Sequence, residues 1–171
     1  GSVYLRLSTR RIDQRERPLD TGLADQIIEG GYWLHPPADG ASLVIAYMGV
    51  MAPQALEAHA AITAQNPGVG LLAVTSADRL HRGWLAAQRQ RGNSGTPAAI
   101  ETLLSPLARD ALIVTISDSH PATLTWLGAV RGQRVRALGV EQFGQSGTLS
   151  ELYETYHIDT ASIIQTCQES G

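Results

Sequence analysis

The run Ala111, Leu112, Ile113, Val114, Thr115 and Ile116 constrains the fold of this chain more than any other stretch. A strand with one wet face alternates apolar and polar residues, whereas this run is almost wholly apolar, as in a sheet covered on both faces. Ser117, Asp118, Ser119 and His120 follow it, and then Pro121. The fixed φ and missing N–H of a proline suit the first position of a helix. The pattern predicts a strand over 111–116 and a helix over 121–130 whose amino terminus points beyond the strand end. Two readings of the intervening residues stand side by side. Free N–H groups and the helix dipole can hold a phosphate or carboxylate there, or Asp118, Ser119 or His120 caps the helix. The second reading needs no ligand.

The same grammar recurs along the chain. Residues 42–48 form an apolar strand closed by Gly49, and Pro53 opens a helix to about residue 64. Ala55, Ala58, Ala61 and Ile62 give that helix a small-residue face able to lie close to a sheet. Residues 69–74 are a third buried strand. A helix over 75–88 follows, with Thr75 and Asp78 spaced as a capping box and Leu80, Trp84 and Leu85 as packing residues. Residues 89–95 are a polar loop. Arg82, Arg89 and Arg91 nearby read by default as a solvated face, and alternatively as a surface for an anion or acidic partner. Residues 96–107 carry a weaker helical pattern around Ile100, Leu103 and Leu104.

Beyond Arg131-Gly132 the chain turns back into a strand containing Val135, Ala137, Leu138 and Val140, then a glycine-bearing loop over 141–147. Thr148 and Glu151 are spaced as a second capping box, for a helix over 148–156 with Leu149, Leu152, Tyr153 and Tyr156 inward. Asp159 caps a last helix over 160–168, with Ile158 and Ile163 as its hydrophobic staple. Strands separated by helices predict an α/β fold: a three-layer αβα sandwich with a mostly parallel sheet and one antiparallel edge strand. That edge strand lies either near Tyr32 or over 132–140.

The amino-terminal part reads differently. Residues 3–8 alternate as a strand with one buried face, and residues 9–20 are too charged for a core. A strand followed at once by a polar connector resembles the tail of a unit carried elsewhere. Gly30-Gly31 turns the chain into a strand over 32–34, and the prolines of 35–40 make the clearest loop. This places an N-terminal strand and linker in residues 1–41 and the α/β domain in 42–171.

At 171 residues with a net charge of −3, the chain suits one domain, and the charge argues against a nucleic acid or an anionic membrane as partner. No apolar run is long enough to span a bilayer. The single cysteine, Cys167, lies in a polar context and has no internal partner, which fits a reducing, cytoplasmic setting. Neither a dinucleotide-binding GxGxxG nor a phosphate-binding GxxxxGK[ST] loop occurs, and His35, His59, His81, His120 and His157 lack metal-site spacing. Ser117 or Ser119 with an Asp and His120 can be written as a triad, but no nucleophile elbow surrounds them. Asp118 and His120 as an acid–base pair are explained more simply as a cap and a surface histidine. His157 follows the last turn of a helix, where a cationic ring suits the dipole. No catalytic residue, cofactor ligand or metal ligand is assigned.

Phe143-Gly144-Gln145-Ser146-Gly147, followed by Leu152-Tyr153-Glu154 and His157-Ile158-Asp159, resembles the C-terminal domain of transketolase-like, thiamine-diphosphate-dependent enzymes. Within that family the pattern resembles the homodimeric pyruvate dehydrogenase E1 component. Gly30-Gly31-Tyr32-Trp33-Leu34, Val74-Thr75-Ser76 and residues 114–119 ahead of Pro121 agree with it. The resemblance implies that residues 3–8 end a preceding pyrimidine-binding domain. Thiamine diphosphate and magnesium would belong to the preceding domains of a parent enzyme. This domain would support dimerisation and packing, and would be inactive alone. The implied partners are those cofactor-binding domains, a second copy, and the acyltransferase component of a multienzyme complex. An exposed apolar patch is expected where the missing domains dock. The candidate anion or interface loops are Asp118, Ser119 and His120, and Gly144, Ser146, Gly147 and Thr148. A regulatory small-anion module at those loops is the alternative, and an autonomous enzyme using Asp118 and His120 is a third reading.

Overall fold

A computed structural model describes residues 11–13, 16, 18–90, 95–142 and 144–169. The strand predicted over 3–8, Arg91 and Phe143 lie outside them.

The chain runs α1 (Thr21–Glu29), β1 (Gly31–His35), β2 (Ala41–Met48), a short 3-10 turn (Gly49–Met51), α2 (Ala52–Thr63), β3 (Gly70–Val74) and α3 (Ala77–Gln90). It continues through α4 (Ala99–Leu103), β4 (Leu107–Ile116), α5 (Ala122–Thr125), α6 (Leu127–Arg131), β5 (Arg134–Leu138), α7 (Leu149–Thr155) and α8 (Thr160–Gln168). The five strands form one sheet in the order β1-β3-β2-β4-β5. β2 pairs in parallel with both β3 and β4, and β4 with β5. β1 runs antiparallel to β3, so the antiparallel edge is the strand near Tyr32.

Alternation along the strands sorts the core into two layers. Val44, Ala46, Leu72, Val74, Ala111 and Ile113 face one side and meet Leu80, Trp84, Ile100, Leu104, Leu124 and Leu127 from α3 to α6. Leu43, Ile45, Leu71, Ala73, Leu112 and Val114 face the other and meet residues of α2, α7 and α8, including Ala55, Ile62, Tyr153 and Ile163. Both faces of β2 and β4 are buried, as the apolar run over 111–116 requires.

Several local expectations are corrected. The helix predicted over 121–130 is two short ones. The Trp126 indole N–H donates to the Thr123 carbonyl (3.1 Å), and the Thr125 hydroxyl donates to the Ala122 carbonyl (3.1 Å). Both bonds lie at the junction of the two helices, which meet at Trp126. Thr75 does not cap α3. Its hydroxyl donates to the Ile27 carbonyl of α1 (2.7 Å), and the capping position passes to Ser76, whose Oγ accepts from the Arg79 N–H (3.3 Å). Asp78 instead pairs with Arg82 across one helical turn, at 2.7 Å. The helical pattern over 96–107 yields only the five residues of α4 before β4 begins at Leu107.

Burial also departs from the pattern in three places. Ala61 is exposed, and its expected place on the inner face of α2 is taken by His59. The His59 Nε2–H donates to the Val69 carbonyl (3.1 Å), and its ring stacks on His35 with centroids 4.6 Å apart. Leu149 is 46% exposed rather than inward. Cys167, for all its polar neighbours in sequence, is buried among the residues of α2 and α8.

Candidate functional site

An open α/β sheet takes ligands outside the carboxyl ends of its strands, where the strand order reverses. Here the reversal falls between β2 and β4, since β3 lies on one side of β2 and β4 on the other. Gly49 leaves β2 with φ 54°, in the left-handed region, and Ser117 to His120 leave β4. The candidate residues Asp118, Ser119 and His120 therefore stand at the place where this architecture puts its chemistry.

The side-chain hydrogen bonds of Ser119 and His120 run within the turn and into the start of α5. The buried Ser117 Oγ lies 2.9 Å from Ser119 Oγ and also bonds the Ser119 carbonyl (3.2 Å), and Ser119 Oγ reaches Thr123 Oγ1 at 3.2 Å. The hydroxyls thus meet one another rather than an imidazole. His120 Nδ1 accepts from the Ala122 N–H (3.2 Å), so the ring caps the first amide of α5. The next two amides donate to the carbonyls of His120 and Pro121. With those three N–H groups used and only four residues in α5, the capping reading accounts for the turn.

β5 is clamped to the same turn. Ser117 N–H donates to the Leu138 carbonyl (3.2 Å) and Val140 N–H to the Ser119 carbonyl (2.9 Å). Gly139 sits between these bonds. A Cβ there would lie 2.6 Å from the Ser119 carbonyl oxygen and 2.8 Å from the Pro121 nitrogen.

The second candidate loop behaves similarly. Gly144 has φ 95°, and Gly144, Ser146, Gly147 and Thr148 are all exposed. At the start of α7 the predicted capping box is present. Thr148 N–H and hydroxyl both donate to Glu151 Oε2, each at 2.8 Å, and Glu151 N–H returns a bond to Thr148 Oγ1. The backbone bond from Thr148, and then its hydroxyl, hold the Glu151 carboxyl below its usual range. A carboxylate of the chain itself already occupies this helix start.

At its other end α7 closes on His157, the only non-glycine with positive φ among the described residues (55°). His157 N–H donates to the Glu154 carbonyl and Ile158 N–H to the Tyr153 carbonyl. These are the two bonds of a Schellman motif, with histidine where glycine is usual. A polar cavity of about 270 Å³ opens beside it, walled by Leu138, Gly139, Glu141, Gln142, Tyr156 and His157. Tyr156 also donates its hydroxyl to the Gln142 carbonyl (2.8 Å). The sequence marks His157 only as a helix-end charge, and no local pattern signals the cavity, whose walls come from β5, the loop after it and the end of α7. Another cavity, of about 500 Å³, lies away from the strand ends between α4 and Arg131.

A magnesium diphosphate needs a cluster of oxygen donors for its cation. Among the described residues no group of three or more His, Cys, Asp or Glu is placed to hold a metal ion. The donor set of the described residues does not fit such a cofactor.

The reversal of strand order, the clamped β4–β5 turn and the capped α7 define a doubly wound α/β domain with structurally closed strand-end loops. The chain belongs to the transketolase-like TK C-terminal domain family, whose model matches residues 30–159. No curated protein sequence matches the chain. Among solved structures it is similar to a split-gene transketolase described as an inactive beta4 tetramer, at 18% identity and TM-score 0.59, covering 83% of this chain and 42% of that one. It is also similar to the transketolases of Leishmania mexicana (16% identity, TM-score 0.60, 85% and 18% covered) and Campylobacter jejuni (16%, 0.56, 82% and 18%). The chain thus spans less than half the length of each of these proteins, and at such identities the likeness is one of fold. Among the described residues no helix is long and apolar enough to cross a membrane.

Proposed function

We propose that this chain is the C-terminal domain of a thiamine-diphosphate-dependent enzyme of the pyruvate dehydrogenase E1 kind, working in the cytoplasm as a homodimer. Its part is to pack against the cofactor-binding domains and shape the subunit interface. The observation that carries this reading is the match of the α/β unit to a C-terminal domain family. In this reading residues 1–41 link to what precedes and 42–171 carry the α/β unit, with β1 from the linker segment laid on the edge of the sheet. Thiamine diphosphate with magnesium supplies the carbon–carbon bond chemistry when bound to the preceding domains. The residues here position and seal rather than react. The acyltransferase component of a multienzyme complex is the expected acceptor.

The test joins or mixes this chain with its cofactor-binding domains and supplies thiamine diphosphate, magnesium and either pyruvate with a lipoyl acceptor or a ketose phosphate with an aldose acceptor. Pyruvate-dependent acyl transfer only in the presence of both parts is expected. Ketol transfer in its place would move the parent enzyme to transketolase proper. Turnover of a 2-oxo acid by this chain alone would overturn the reading. The small-anion module keeps less support, because the Ala122, Thr123 and Leu124 amides at the first loop and the Thr148 amide and hydroxyl at the second already donate within the chain.

A further inference from the structure

α1 is a nine-residue helix with no buried residue. Helices this short are marginal in water unless an apolar face is packed. Its ends are nonetheless well made. Asp20 Oδ1 accepts from Leu23 N–H (2.8 Å), Gly30 closes the carboxyl end in the left-handed region, and Thr75 ties the Ile27 carbonyl to the turn before α3. Leu23, Ala24, Ile27 and Ile28 fall on one side of the helix. Leu23, Ala24 and Ile27 are half-buried, while Ile28 is 57% exposed, and Leu19 just ahead of the cap is 66% exposed. Two of the three exposed large apolar side chains among the described residues thus lie in or just ahead of one short helix.

We infer that this face of α1 is the docking surface for the domain that precedes it in the longer proteins of the family, an inference that rests on the reading above. The family is a C-terminal domain and its match begins at residue 30, directly after α1. The remainder of such a protein therefore lies on the amino-terminal side, where α1 enters. Residues 18–34 contain Asp20, Asp25 and Glu29 and no lysine or arginine. The surface that covers α1 accordingly has an apolar centre to receive Leu19 and Ile28, and basic side chains around it. α1 would then act as a latch: formed by its caps, held by Thr75, and stabilised when the preceding domain closes over it.

Hydrogen exchange read by mass spectrometry on this chain alone, and on the chain joined to its cofactor-binding domains, tests the assignment. Amides of 21–29 are expected to exchange at least about tenfold more slowly in the joined protein. The double variant L19E/I28E should abolish that difference while leaving the amides of β2 and β4 unchanged in both proteins. Because both side chains are exposed, the isolated variant should fold as the parent does, which circular dichroism checks. Equal exchange of α1 in the two proteins would overturn the inference. Protection that appears in the isolated chain and grows with concentration would also overturn it, assigning the face to a second copy. Exchange reads docking without reference to catalysis. A protected α1 in a protein that does not use pyruvate would refute the functional reading alone, and an unprotected α1 in an active protein would refute only the docking.

Discussion

Replacing Gly139 by alanine should destabilise the domain through one identifiable contact. The new methyl would stand 2.6 Å from the Ser119 carbonyl oxygen and 2.8 Å from the Pro121 nitrogen, where ordinary contact begins at 3.4 Å. Both obstacles are backbone, so no side chain can swing aside. The end of β5 would have to retreat by several tenths of an ångström, stretching the bonds from Ser117 to Leu138 and from Val140 to Ser119. Overpacking of this kind costs about 1–3 kcal/mol, and weakening a hydrogen bond adds about 1 kcal/mol. The lower unfolded-state entropy of alanine returns about 0.4–1 kcal/mol. The net is about 1–3 kcal/mol, lowering Tm by roughly 2–12 °C for a domain of this size. Gly83 provides the control: it lies in α3 with nothing within 4 Å of an added Cβ. G83A should therefore stabilise the protein by about 0.5–1 kcal/mol. Urea unfolding of the two variants, followed by circular dichroism, gives opposite signs if the reasoning holds. A G139A midpoint within about 0.5 kcal/mol of the parent, or one shifted in the direction of G83A, would refute it.

Gly30→Ala should be more damaging still. It adds a φ of 119° to contacts of 2.6 Å with the Ser76 carbonyl and 2.9 Å with Leu80 Cγ, for a loss of about 2–4 kcal/mol that urea melts would detect; a loss under 1 kcal/mol would contradict the geometry. Burial pushes the Cys167 thiol up to about 12, so neutral-pH alkylation in the native state should be about a thousandfold slower than in urea; comparable rates would disprove the burial. For Asp159, partial burial pulls its carboxyl upward, but bonds from Ser162 and Ala161 prevail and hold it below its usual range. Its stabilisation is therefore full above the unfolded value near 4 and is lost as pH falls through the lower folded value. D159N should shrink the acid-induced loss of stability below about pH 4, and an acid limb identical to that of the parent would count against this.

The core of the fold was legible wherever a local rule had no competitor. The run over 111–116, Pro53 at the start of α2, the box of Thr148 with Glu151, and Asp159 ahead of α8 each declare themselves through sequence-local physics, and each is found in place. The misses occur where a side chain takes a partner from another turn or another element. Trp126 donates to a carbonyl three residues back, at the point where the helix breaks in two. Thr75 bonds Ile27, 48 positions away, and gives up its cap. His59 replaces Ala61 inside because the Val69 carbonyl waits at the end of its ring. The candidate loops were readable as loops, since glycine and proline punctuate them. Their closure was not, because the clamp of β5 on the turn after β4 joins Ser119 to Val140, residues that no local period connects.

The strand order also governs how the domain emerges from the ribosome. β2 finds β3 first, yet its other edge stays open until β4 ends, about forty residues further along. At ordinary synthesis rates that is roughly 2–8 s during which the nascent chain presents Leu43, Val44, Ile45 and Ala46 along an unpaired edge. No lysine or proline interrupts that edge, so chaperone capture of translation intermediates should peak between the completion of β3 and the release of β4.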